Sequence, residues 1–127
     1  MEKPCYFCET GKLKSNVIIA ESESFYARWD DFPVSPGHAE IVARKHTPSF
    51  FELTVEEIND LFELSKKVKG IVDARYHPDA YNIGINEGEA AGRTIDHLHL
   101  HIIPRYKGDV ENPRGGVRHV IPGKGNY

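Results

Sequence analysis

The sequence sets three histidines at alternate positions, His97-Leu98-His99-Leu100-His101, and follows them with Ile102-Ile103-Pro104-Arg105. No other segment constrains the chain as strongly, because successive side chains of a β-strand point to opposite faces. A strand here presents three imidazoles on one face and sends Leu98, Leu100 and Ile102 into a core on the other. Neighbouring same-face positions stand roughly 6.5 to 7 Å apart, which puts the outer two histidines roughly 13 Å apart on a flat strand. One metal ion cannot bind both of them. The row can hold a phosphate group, a metal ion, or both at neighbouring positions.

A single strand histidine is usually a half-exposed polar residue, but three in strict alternation over an apolar face make a site. The interleaved leucines and the internal position exclude a purification tag. At 127 residues the chain has room for one domain with a real core. Its net charge of −3 gives no general reason to expect nucleic acid or a membrane surface as partner. No apolar run is long enough to span a bilayer, and Met1-Glu2-Lys3-Pro4 does not begin a signal peptide, so a cytoplasmic location is expected. Cys5 and Cys8 are too close in sequence to staple a fold, and they read as metal ligands or a redox pair.

Val17–Ala20 and Phe25–Trp29 read as strands joined by the polar turn Glu21-Ser22-Glu23-Ser24. After the breaks at Pro33, Pro36 and Gly37, residues His38–Ala43 form a third strand, and Pro48–Leu53 a short helical turn. Thr54 and Glu57 form a capping box that starts the main helix. Ile58, Leu61, Phe62, Ser65, Val68 and Val72 mark its inner stripe, and it ends near Tyr76 ahead of Pro78. Asp79–Asn86 holds a fourth strand, Glu87–Gly92 a small-residue loop, and Leu98–Arg105 a fifth strand. The expected fold is therefore α+β: a five-stranded antiparallel sheet with one main helix and a short one. Residues 1–127 form a single domain in which 108–127, rich in Gly and Pro, are an extended C-terminal arm.

A neutral imidazole nitrogen can attack phosphorus and later leave it, while neighbouring imidazoles steady the charge that builds on oxygen. The stretch from Asn86 to Thr94, just upstream of the row, contains small residues whose backbone amides can approach an anion. Beside the histidines it reads as a phosphate cradle. For Cys5 and Cys8 the two missing zinc ligands could come from His38, His46, His77, His97, His101 or His119, and sequence spacing does not choose among them.

The run His97-Leu98-His99-Leu100-His101-Ile102-Ile103 resembles the motif of the histidine-triad family, and the resemblance covers roughly residues 5 to 107. The family implies an enzyme that attacks the α-phosphate of a nucleotide and releases a nucleoside monophosphate through a nucleotidyl-histidine. It implies His99 as nucleophile, His101 as its support, and His38 of Pro36-Gly37-His38 as a fourth histidine. It also implies that Asp30 meets the ribose hydroxyls, Phe7 lines the base pocket, and Asn86, Gly92 and Thr94 contact the nucleotide. Arg93 stands where many members have Gln and adds positive charge beside the phosphates.

Members with an N-terminal CxxC carry a structural Zn²⁺, a pattern that resembles Cys5, Cys8, His46 and His97 here. Pro104-Arg105-Tyr106-Lys107-Gly108-Asp109 resembles the dinucleoside-polyphosphate hydrolase branch, which implies a diadenosine-type substrate, with Mg²⁺ carried on the polyphosphate leaving group. Arg105, Lys107, Arg114 and Arg118 are candidates for its distal phosphates. The resemblance further implies a homodimer. The rival expectations are a purine nucleoside phosphoramidase and a nucleotide-binding regulator with little turnover.

Overall fold

Two strands carry side chains that are buried on both faces, and this fixes the layering of the molecule. The computed structural model describes residues 5–10 and 18–127, with only the backbone at Thr10; Met1 to Pro4 and Val17 lie outside the described residues. In β2 (Phe25–Trp29) and β3 (Ala39–Ala43), Phe25, Ala27, Ala39, Ile41 and Ala43 face one way into the main core. Tyr26 and Val42 face the other way and pack with Phe7 in a smaller cluster. The strict period of two places one helix on each side of the sheet.

With β1 (Ile18–Glu21), β4 (Ala80–Gly84) and β5 (His99–Arg105), the sheet runs β1-β2-β3-β5-β4, antiparallel at every junction. The five-stranded α+β architecture expected from sequence is present. The long helix, here α2 (Val55–Tyr76), begins at the Thr54–Glu57 capping box, in which each side chain accepts from the other residue's backbone N–H. It ends at His77, in left-handed conformation at φ 53°, just before Pro78. Leu61, Leu64, Val68 and Val72 form its buried stripe. Each is worth about 1.5 to 3 kcal/mol of transfer energy.

Phe62, expected in that stripe, is instead 60 % exposed and borders an apolar groove with Ile58, Phe50 and Ile83. The helix has turned so that Leu64 takes the inward position. Three further differences concern chain ends. A five-residue helix, α1 (Tyr6–Thr10), carries Cys8 and starts directly after Cys5. The fifth strand begins at His99 rather than Leu98, because Leu98 N–H bonds to Thr47 outside the ladder and His97 N–H turns back to Ile95. The tail leaves the sheet at Gly108 but does not run straight. Positive-φ glycines at 108, 115, 116 and 123 turn it through a 3-10 segment, Gly116–Val120, and Arg118 reaches back to the Gly125 carbonyl.

Candidate active site and metal cluster

The sheet face opposite α2 forms the floor of a cavity of about 210 Å³. Backbone register sets its rows: Arg28 pairs with Glu40 and Glu40 with His101, while Tyr26 pairs with Val42 and Val42 with His99. His99 and His101 both face the cavity, with ring centroids 5.0 Å apart. Phe7 from α1 and Asp30 after β2 form two of its walls. The upstream loop supplies Asn86, Gly92, Arg93 and Thr94. Every residue that the family resemblance assigns to nucleotide binding lines this one cavity.

His38 sits behind the wall, buried, with Nε2 3.0 Å from Nδ1 of His101. Its Nδ1 accepts the Val34 N–H at 3.2 Å, so its proton resides on Nε2 and is donated to His101. His101 must then carry its own proton on Nε2. His99 has the opposite arrangement, because its Nδ1 lies 2.8 Å from the His97 carbonyl and can only donate there. Nε2 of His99 keeps its lone pair. Burial holds His38, His99 and His101 below the ordinary imidazole value, so all three are neutral near pH 7.

Asp30 has an Oδ2 3.5 Å from His38 and 3.7 Å from His101. Burial pushes its carboxyl up, but the Phe32 N–H and the neighbouring His38 and Glu40 outweigh burial and hold it below the usual range. Arg93 lines the cavity with its guanidinium tied to Asp96 at 2.7 Å and to the Pro48 carbonyl; its charge helps to depress the His99 pKa. Arg105, Lys107, Arg114 and Arg118 do not line this cavity. Arg105 is held by Asp109 and Asn82, and Arg114 and Arg118 lie over the Tyr127 ring.

His97 leaves the row. It is fully buried, and its Nδ1 lies 3.3 Å from Cys5 Sγ, 3.5 Å from Cys8 Sγ and 3.2 Å from His46 Nδ1. Cys8 Sγ to His46 Nδ1 is 3.5 Å. Tetrahedral zinc with ordinary bond lengths needs about 3.3 Å between two nitrogens and about 3.5 Å between nitrogen and sulfur. These four spacings match a shared zinc, and all donor atoms of the four side chains lie within 4.8 Å of one another. His97 Nε2 donates to the Ala43 carbonyl at 2.6 Å, which leaves Nδ1 as the ligand atom.

Sequence reasoning missed Glu40, buried on the cavity floor, and Arg28, buried beside it in the sheet. The available signal was a charge at one inward position in each of two otherwise apolar segments, Phe25–Trp29 and Ala39–Ala43. It also missed Tyr6, Asp31 and Phe32 at the outer rim.

The sequence model of the HIT domain, the histidine-triad family, matches residues 11–108. The chain belongs to the HIT family. The HIT match ends at Gly108, where the chain turns away from the sheet, so the tail lies outside the shared domain. The chain is 35 % identical over 101 residues to a bis(5'-adenosyl)-triphosphatase of Dictyostelium discoideum, covering 75 % of this chain and 68 % of that protein. It is 40 % identical over 77 residues to an asymmetrical bis(5'-nucleosyl)-tetraphosphatase of Schizosaccharomyces pombe, covering 61 % of this chain but only 42 % of that protein. Among solved structures, a zinc-bound histidine-triad protein of Mycobacterium smegmatis superposes with a TM-score of 0.73 at 30 % identity, covering 85 % of this chain and 79 % of that one.

Proposed function

We propose that this HIT protein hydrolyses dinucleoside polyphosphates of the diadenosine type and releases a nucleoside monophosphate through a nucleotidyl-histidine. The observation that carries the reading is the opposite protonation of the two cavity histidines: an open lone pair on His99 Nε2 beside an N–H on His101 Nε2. The relatives' own activities point the same way.

His99 attacks the α-phosphorus, forming a P–N bond while the bond from phosphorus to the bridging oxygen breaks. His101 donates an Nε2–H hydrogen bond to the departing oxygen, which leaves as the polyphosphate anion, and is held for this by His38. Water then adds to phosphorus, loses its proton to solvent and expels His99. Asp30 receives the ribose hydroxyls and Phe7 lies against the base. Asn86, Gly92 and Thr94 hold the nonbridging oxygens while Arg93 adds positive charge. A Mg²⁺ ion carried on the substrate would supply charge neutralisation of the polyphosphate leaving group.

Cys5, Cys8, His46 and His97 would hold Zn²⁺ as a structural ion, supported by the close approach of their donor atoms and by the zinc-bound relative. Zinc cross-links groups far apart in sequence and adds folding energy outright. Thiols kept for zinc belong in a reducing compartment, which supports a cytoplasmic location. Among the described residues, no helix is long and apolar enough to cross a membrane. The exposed apolar groove at Phe62, Ile58 and Ile83, beside the edge strand β4, supports a homodimer through that face.

Incubating the purified protein with diadenosine tetraphosphate and resolving the products tests the activity. AMP release by the wild type and its loss in His99→Ala are expected; full activity of that variant sinks the mechanism. For the dimer, light scattering should show Phe62→Asp to be a monomer.

A further inference from the structure

The row of side chains on the cavity face of β5 does not stop at His101. Period two continues it to Ile103, roughly 6.5 to 7 Å further along the strand. Ile103 pairs with Asn82 of β4, and both open into a second cavity of about 570 Å³ on the sheet face opposite α2. Sites that hold small molecules usually enclose roughly 300 to 1,000 Å³. The loop between β2 and β3 borders both cavities, with Asp30 and Phe32 in the first and Ser35 and Pro36 in the second. The far wall of the second is the tail, through Val110, Asn112 and Pro113.

Close packing fixes that wall, although it lies beyond the region shared with the family. A Cβ at Gly115 would stand 2.6 Å from the Gly125 carbonyl oxygen, and one at the buried Gly125 would overlap the His119 ring. His119 Nε2 donates to the Arg114 carbonyl at 2.7 Å and closes the turn.

Two amides give the cavity directed donors. Asn82 Oδ1 accepts from Arg105 Nη1 at 2.6 Å, and Asn112 Oδ1 accepts the Arg114 N–H at 3.1 Å, so each amide keeps its Nδ2 to donate. Ile103, Val110 and Pro113 supply apolar surface beside them. Apolar walls with a few fixed N–H donors suit a heterocycle with ring nitrogens and a sugar with oxygens. Charge is a lesser attraction, because the Arg105 guanidinium is already closed onto Asp109 at 2.8 and 2.9 Å.

We propose that this second cavity holds the nucleoside of the leaving group and is the subsite for the far half of the substrate. The role rests on the hydrolase reading above, which sets the departing oxygen at His101, and the next position along that face is Ile103. A short polyphosphate covers the step between them, whereas a mononucleotide ends before it. The tail therefore makes the protein favour phosphate chains that carry a nucleoside at both ends.

Binding to the His99→Ala protein, which leaves the substrate intact, tests the subsite. Calorimetry should show diadenosine tetraphosphate binding about tenfold more tightly than adenosine tetraphosphate, which has the same phosphates and lacks the second nucleoside. Adding Val110→Trp fills the cavity and should remove that advantage while AMP affinity stays unchanged. Asn112→Asp keeps the acceptor for the Arg114 N–H and replaces only the donor, so it should cut the advantage by about threefold or more. Equal affinities for the two ligands in His99→Ala overturn the subsite, as does an advantage that survives both substitutions. Lack of hydrolysis of any dinucleoside polyphosphate by the wild type overturns the hydrolase reading and leaves this binding comparison intact.

Discussion

His97 and His99 are two residues apart, yet they serve surroundings of opposite chemistry. Around His97, two thiols and a second imidazole converge with every donor atom within 4.8 Å of the others, four side-chain donors gathered about one point, with His97 buried and His46 at the surface. Around His99, imidazoles and acids line an open cavity in unlike environments: one imidazole nitrogen with a free lone pair, another with an N–H, and the Glu40 carboxyl pushed up by burial while Asp30 is held low. A complete set of four donors suits a structural ion, whereas an open, polarised set suits a substrate that arrives and leaves. The His97 carbonyl, bonded to His99 Nδ1, links them directly, and the Phe7 ring packs against both imidazoles.

Breaking only the catalytic side should have the largest effect. His99→Ala should lower turnover of diadenosine tetraphosphate by about 10⁴-fold or more, the scale seen when a nucleophile is removed. Zinc content and Tm should stay as in the wild type. Metal loss in that variant would falsify the separation of the two clusters.

His38→Ala tests how much the N–H on His101 matters. Losing the group that orients a hydrogen-bond donor should reduce kcat by about 10- to 100-fold. The pH at which zinc is lost should not move. An unchanged kcat would remove His38 from the mechanism.

On the other side of the comparison, Cys8→Ser should reduce zinc to below one ion per chain and lower Tm by about 10 °C, as a loss of a few kcal/mol would in a domain of this size. Turnover should fall secondarily, because α1 carries Phe7 over the cavity as well as Cys8. An unchanged Tm in metal-free protein would make the cluster incidental to folding.

The smallest effect sharpens the electrostatic contrast. The Glu40 pKa is raised in the folded protein, from 4.5 to about 8, so folding takes up a proton between those values. The stability linked to that proton is complete below pH 4.5 and is lost as pH rises through about 8. Glu40→Gln should therefore melt a few degrees above the wild type at pH 8, and the gap should close at pH 5. A pH-independent gap would mean that Glu40 is charged throughout.

Much of the fold was legible because it rests on periodicities and punctuation. The alternation in Phe25–Trp29, the capping box at Thr54 and the stop before Pro78 each depend on residues close together in sequence. Phe62 shows the limit of that reading: it lies on the edge of the helical stripe, and only the angle at which α2 meets the sheet decides whether Phe62 or Leu64 turns inward. The short helix at Tyr6–Thr10 was not legible either. Five residues cannot sustain a helix by propensity, and this one is held by Phe7 packing on Tyr26 and Val42. Of the proposed nucleotide contacts, Phe7 and Asp30 were found only through family resemblance, and Arg28 and Glu40 fell outside it.

By itself, the sequence determined that a strand would carry imidazoles on one face and leucines on the other, because pleating is a property of the backbone over two residues. The tertiary structure decided how those imidazoles are divided. Cys5 and His97 are 92 positions apart, and Glu40 meets His101 across a strand boundary. Lone pairs and protons are assigned by whichever groups stand within hydrogen-bond reach, and packing sets those neighbours.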